Sequence, residues 1–169
     1  MSPERYRNAL SEFDGLLAHG RAVSEQLTGR NIARKEFSYA DAIYTKLLCH
    51  AISLRKLSPS FSQDSELWDV ASAAAVARSL IEAFDALAYI GIHSITEGER
   101  EFRILLWELH DQQRRLRILE KVRSSNPQVG EIQKRADALL TSVVTHPSTH
   151  LLPQKLRGKS MVETRRRSI

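Results

Sequence analysis

The stretch from about Glu66 to His93 reads as one helix that is apolar on nearly every side. Ala71, Ala73, Ala74, Ala75, Ala77, Ala83, Ala86 and Ala88 let neighbours approach closely, while Leu67, Val70, Val76, Leu80, Ile81, Phe84, Leu87 and Ile90 supply the bulk. A helix with no polar face belongs at the centre of a bundle. One ridge departs from this pattern. Arg78, Glu82, Asp85 and Tyr89 recur at i, i+4, i+7 and i+11 and so stand above one another on one side. Charges on a central helix need a partner or water, so Arg78 is expected to be buried and bonded to Glu82. Arg78 and Glu82 are thus candidate ligand-binding residues, because a guanidinium held by a carboxylate can orient a phosphate or a carboxylate. The alternative is an ion pair that only fixes helix register.

Punctuation and period divide the rest of the chain into helices. The first opens at Ser2-Pro3, with serine as N-cap and proline at the first helical position. It carries Tyr6, Leu10, Phe13, Leu17, Gly20 and Leu27 on one stripe and ends at Thr28-Gly29. A second runs from about Ser38 to Leu57, with Ala40, Ile43, Leu47, Ala51 and Leu54 on one face, and breaks at Ser58-Pro59-Ser60. Ser62 and Asp64 offer caps for the apolar helix, and residues 91–96 form the turn after it. Thr96-Glu97-Gly98-Glu99 is a capping box, opening a long helix to about Ser124 with Phe102, Leu105, Leu109, Leu116 and Leu119 as its stripe. Its early acidic and late basic residues complement the helix dipole. Asn126-Pro127 starts a fifth helix, striped by Val129, Ile132, Ala136, Leu139, Leu140 and Val143 and ending before Pro147. No segment alternates like a strand. The expected fold is all-α: a single-domain antiparallel bundle of about five helices over residues 1–153, followed by a basic tail, 154–169.

Composition narrows the function classes. An apolar fraction of 42% and a charged fraction of 27% are ordinary for a globular domain. Arg78, Glu82 and Asp85 interrupt the longest apolar run before it reaches the roughly 18 residues that span a bilayer, so no membrane segment is expected. The first residues lack the apolar core of a signal peptide, and the single cysteine, Cys49, fits a reducing cytoplasm. The net charge of +5 lies wholly in the tail. Lys155, Arg157, Lys159, Arg165, Arg166 and Arg167 outweigh Glu163 there, leaving residues 1–153 neutral. A basic tail can bind polyanions or simply be solvated.

A second ridge lies on the long helix. Arg103, Trp107, His110, Arg114, Arg117 and Lys121 are spaced 4, 3, 4, 3 and 4 and share one face. Cations interleaved with an indole and an imidazole can follow a phosphate backbone and stack a base. The bland reading is a solvated face on which Trp107 packs against a neighbour. Arg103 and His110 also meet the loose spacing of arginine and histidine in HEPN ribonucleases, but so short a pattern arises readily by chance, and seven residues separate the pair by about 10 Å along the helix axis. His146 and His150, with no cysteine or carboxylate beside them, make a poor zinc site. No metal or cofactor is expected. Cys49 and His50 are adjacent, which points their side chains apart on a helix.

Arg78-Ser79-Leu80-Ile81-Glu82, Glu99-Arg100-Glu101-Phe102-Arg103 and Leu106-Trp107-Glu108-Leu109-His110 together match the pattern R-S-x-x-E followed by E-x-E-F-R-x-x-L-W-x-L-H. Over roughly Leu67 to Lys159 the chain resembles a family of uncharacterised bacterial helical proteins with this pattern. The family's architecture is similar to HEPN-like bundles, which implies nucleic-acid or nucleotide contact by analogy. Relatives continue past the segment seen here as Leu156-Arg157-Gly158-Lys159 into further helices with a Ser-x-x-x-His segment. The resemblance therefore implies a shortened member with apolar surface for a partner chain. Two functions are carried forward. One is a self-associating, non-catalytic interaction module, expected as a homodimer. The other is a HEPN-like nucleic-acid- or nucleotide-binding protein acting through the Arg103–Lys121 ridge or the tail, with metal-independent RNA cleavage as its strongest form.

Overall fold

Ser2 starts the first helix as its spacing predicts: its Oγ accepts the Arg5 N–H at 3.3 Å, with Pro3 at the first position. The computed structural model describes residues 2–30, 32, 34–59, 68–123 and 126–152. Among them are five α-helices and no strand: α1 (Pro3–Leu27), α2 (Lys35–Leu57), α3 (Val70–Leu87), α4 (Glu97–Lys121) and α5 (Gln128–Thr145). The all-α reading holds. The expected tail, 154–169, lies outside the described residues, as do Ser62, Asp64 and Leu67. No helix among the described residues is long and apolar enough to cross a membrane. The helices fall into two compact units, one up to His93 and one from Ser94.

In the first unit α1 and α3 both pack on α2. The C-terminus of α1 is closed by Thr28, whose N–H returns to Ser24 and Glu25, and by Gly29 at φ +78°, a left-handed position that favours glycine. Polar ties bind α1 to α2. Arg55 grips Asp14 with two hydrogen bonds, 2.6 and 3.1 Å, and the Tyr44 hydroxyl donates to the Gly20 carbonyl at 2.9 Å. α2 begins three residues before the expected Ser38, because Lys35-Glu36-Phe37 is compatible with a first turn and Glu36 complements the dipole there. Glu36 is buried and paired with Arg34.

The apolar helix α3 is not the centre of its unit; α2 is. Only Ala73 and Ala83 of α3 are buried, while Val70, Ile81 and Phe84 are exposed. The reason is area: stabilisation follows apolar surface removed from water, and alanine has little to remove. A helix rich in alanine can therefore lie at an edge, while α2, carrying Tyr44, Leu47, Leu48 and Leu54, meets neighbours on two sides. Asp69 caps α3, its Oδ1 accepting the Ser72 N–H at 3.0 Å. After Leu87 the helix continues as a π-helical turn, Ala88–Ile92, closed by the His93 N–H on the Ala88 carbonyl. Gly91 and Ile92 are thus helical, not part of the expected turn. Gly91 is needed for close approach, since a Cβ there would sit 3.0 Å from the Ala40 Cβ of α2.

The cap on α3 has a pH signature. Hydrogen bonding from the Ser72 side chain, then from its backbone, holds the Asp69 carboxyl below its usual range. A carboxyl depressed in the folded state contributes stability above its unfolded value, about 4, and loses it as pH falls through the folded value. Thermal melting of wild type and Asp69→Asn is expected to converge as pH drops below about 4, because asparagine keeps a cap that cannot titrate. Equal pH slopes for the two proteins would refute this role.

In the second unit α4 and α5 pack antiparallel over a short connection. Thr96 caps α4 by accepting the Glu99 N–H at 3.2 Å, while the Glu99 carboxylate receives Arg103 rather than completing a capping box. α4 stops at Lys121, short of the expected Ser124, and Arg123 then adopts φ +49°. Asn126 accepts the Gln128 N–H at 2.9 Å to open α5. Phe102, Leu109 and Val143 form the core, with Leu105, Leu106, Leu139, Leu140 and Leu152 around them. A 3-10 turn, Pro147–Leu151, follows α5 and packs on both helices.

Candidate functional site

Two surfaces emerge, one in each unit. Arg78 and Glu82 belong to the first; Arg103, Trp107, His110 and Arg114 belong to the second. The Arg78 Nε donates to Glu82 Oε1 at 2.9 Å, so the expected pair forms, but its side chains are 82% and 66% exposed. The expectation of a buried arginine is overturned because α3 lies at the edge. A solvated i,i+4 pair is worth about 0.3–0.5 kcal/mol, not the several of a buried one. Arg78→Ala is accordingly expected to leave the unfolding free energy from urea denaturation within about 0.5 kcal/mol of wild type; a larger loss would mean that the arginine is covered.

The first unit also carries an open apolar surface. Because α1 and α3 both pack on α2, a groove of about 510 Å³ opens over α2 between them. Phe13, Leu16 and Gly20 of α1 form one wall, Leu80, Ile81 and Phe84 of α3 the other, and Tyr44, Leu47 and Leu48 of α2 the floor. Leu16 is 69% exposed, Ile81 61% and Phe84 55%. Ile81 and Phe84, core residues by their place on an apolar helix, thus line an open surface, as does Leu16, which stands beside the α1 stripe and not in it. A second groove of similar volume, lined by Val23, Leu27, Phe37, Tyr44 and Leu87, lies on the same unit; there the Arg34 guanidinium sits 5.3 Å from the centre of the Phe37 ring.

On α4 the predicted ridge faces away from the Phe102–Leu109–Leu116 stripe, as the helical period requires. Its members fare differently. Arg103 is only 14% exposed and holds Glu99 at 2.7 Å, and Trp107 is half-buried. His110, Arg114, Arg117 and Lys121 are exposed. The Arg117 Nε turns back to the Gln113 carbonyl at 3.3 Å, whereas Arg114 and Lys121 have no ion-pair partner among the described residues. Arg103 and His110 thus share a helix face without forming a joint site, one held in an ion pair and the other in solvent.

Two of the other histidines have structural tasks. The His146 ring stacks on Phe102, centroids 5.1 Å apart, and its Nδ1 accepts the Ser148 N–H at 3.1 Å, capping the 3-10 turn. Nδ1 of His150 lies 3.0 Å from the Pro147 carbonyl. Cys49 is exposed on α2. Among the described residues no group of three or more histidine, cysteine, aspartate or glutamate side chains is arranged to hold a metal. No protein-family model, curated protein or solved structure matches this chain.

Proposed function

We propose that this chain is a helical interaction module that associates with a second copy of itself and carries out no chemistry. The observation that carries the reading is the open apolar groove of the first unit, with Leu16, Ile81 and Phe84 more than half exposed along its walls. Clustered apolar surface of this kind marks a surface for another protein. Sedimentation equilibrium at tens of micromolar is expected to give twice the chain mass of 19.2 kDa. A single-chain mass under those conditions overturns the reading.

The exposed cations of α4 support a second reading, nucleic-acid binding through His110, Arg114, Arg117 and Lys121, in keeping with the resemblance to HEPN-like bundles. Such binding weakens steeply with salt, so a titration of single-stranded RNA at two ionic strengths separates it from the first reading. Metal-independent cleavage is not expected. Arg103 is occupied by Glu99, and His110 stands alone in solvent about 10 Å further along the helix. Cleavage of RNA in chelator by wild type, lost in His110→Ala, would reverse that conclusion.

A further inference from the structure

α3 carries two apolar seams. Ala73, Val76, Leu80, Ala83, Leu87 and, in the π-helical turn, Ile90 are spaced 3, 4, 3, 4 and 3, and all are buried or half-buried, on the helix that packs on α2. Val70, Ala74, Ala77, Ile81, Phe84 and Ala88 are spaced 4, 3, 4, 3 and 4. The second set lies about a third of a turn round the helix. Four of its members, Val70, Ala74, Ile81 and Phe84, are exposed. Spacing of this kind is the seam of paired helices. A helix with two such seams is built for two neighbours, and α2 supplies one.

The second seam is its own complement. Reversed end to end about a point between Ala77 and Ile81, it lays Val70 on Ala88, Ala74 on Phe84 and Ala77 on Ile81. Every layer then joins one large side chain to one alanine, the alternation that fills a helix interface evenly. A parallel pairing would instead set Phe84 on Phe84 and Ile81 on Ile81 beside alanine layers that leave gaps. The flanking charges agree. Arg78 and Glu82 lie on one edge of the seam, already bonded to each other, and reversal brings the Arg78 of each copy between its own glutamate and its partner's. Ile81 and Phe84 also line the groove, so a helix on the seam touches Phe13 and Leu16 of α1 as well. That second wall matters, because α3 is only about 27 Å long and a stable dimer needs roughly 800 Å² from each partner.

Building on the self-association proposed above, we infer that the partner is a second α3, antiparallel to the first and lodged in the groove between α1 and α3. The test uses the full chain with Cys49→Ser, so that no native thiol remains. Ala77→Cys and Ile81→Cys are made separately, checked for wild-type helix content, mixed and oxidised. Antiparallel pairing predicts that the mixed 77–81 disulfide outweighs both the 77–77 and 81–81 products, since a disulfide requires Cα atoms within about 7 Å. Ile81→Glu and Leu16→Glu, both at exposed positions, are each expected to raise the dimer dissociation constant on the order of a hundredfold by confronting the interface with an unpaired charge. Predominance of 77–77 and 81–81 disulfides overturns the antiparallel arrangement. A dimer by sedimentation with no disulfide at either position overturns this interface while leaving self-association standing. A monomer at tens of micromolar overturns both.

Discussion

Phe102→Ala is expected to destabilise the second unit by about 3–5 kcal/mol, the usual cost of emptying a buried aromatic site. Phe102 is 2% exposed and stands in the core with Leu109 and Val143. Its ring also supports His146, whose Nδ1 caps the 3-10 turn, so the cavity and a loosened cap add together. Whole domains are held by only about 5–15 kcal/mol, and two helices with one turn have little core in reserve. Hydrogen exchange is the suitable measurement, because it assigns the loss to a place. Protection is expected to fall through α4 and α5 and to stay unchanged in α2 and α3. A uniform small change would show that Phe102 is not the keystone of that unit.

Ile90→Ala is expected to cost the first unit about 2–5 kcal/mol, and Ile90→Val only about 0.5–1.5. Ile90 is completely buried, and the π-helical turn that carries it packs on α2. The same turn brings Gly91 against Ala40, with no room for a Cβ without a shift of backbone, because an alanine Cβ has no rotamer to escape into. The site therefore cannot collapse readily around a missing side chain, which places the cost toward the upper end. Urea denaturation of the alanine and valine variants gives the two values; a near-equal pair would mean that the turn repacks.

Local chemistry made much of the fold legible in the sequence. Ser2-Pro3, Thr28-Gly29, Thr96 and Asn126-Pro127 each mark a helix boundary through a specific hydrogen bond or dihedral, and each does so in the structure. The apolar stripes of α2, α4 and α5 are likewise buried or half-buried, since each has a polar face that fixes which way it turns. α3 departs from its expected central place for the opposite reason. An Ala-rich helix with few polar residues has no marked outward face, so its hydropathy does not say whether it lies at the centre or the edge. The candidate residues followed suit. Arg78 and Glu82 meet as their spacing requires, because an i,i+4 contact is local. Whether they are buried depends on tertiary placement, which their spacing does not encode. The groove was out of reach altogether, because it exists only where two helices lean on a third.

The principal helix pairings within the two units join neighbours along the chain: α1 with α2, α2 with α3, α4 with α5. This has a kinetic consequence. Short separations between contacting segments keep loop closure inexpensive, and helical proteins with such local contacts fold in microseconds to milliseconds. Ribosomes add only about 5–20 residues per second, so the stretch beyond His93 takes seconds to appear. α1, α2 and α3 are all already present by then. The first unit is therefore a finished body, its groove formed, before the second has been synthesised.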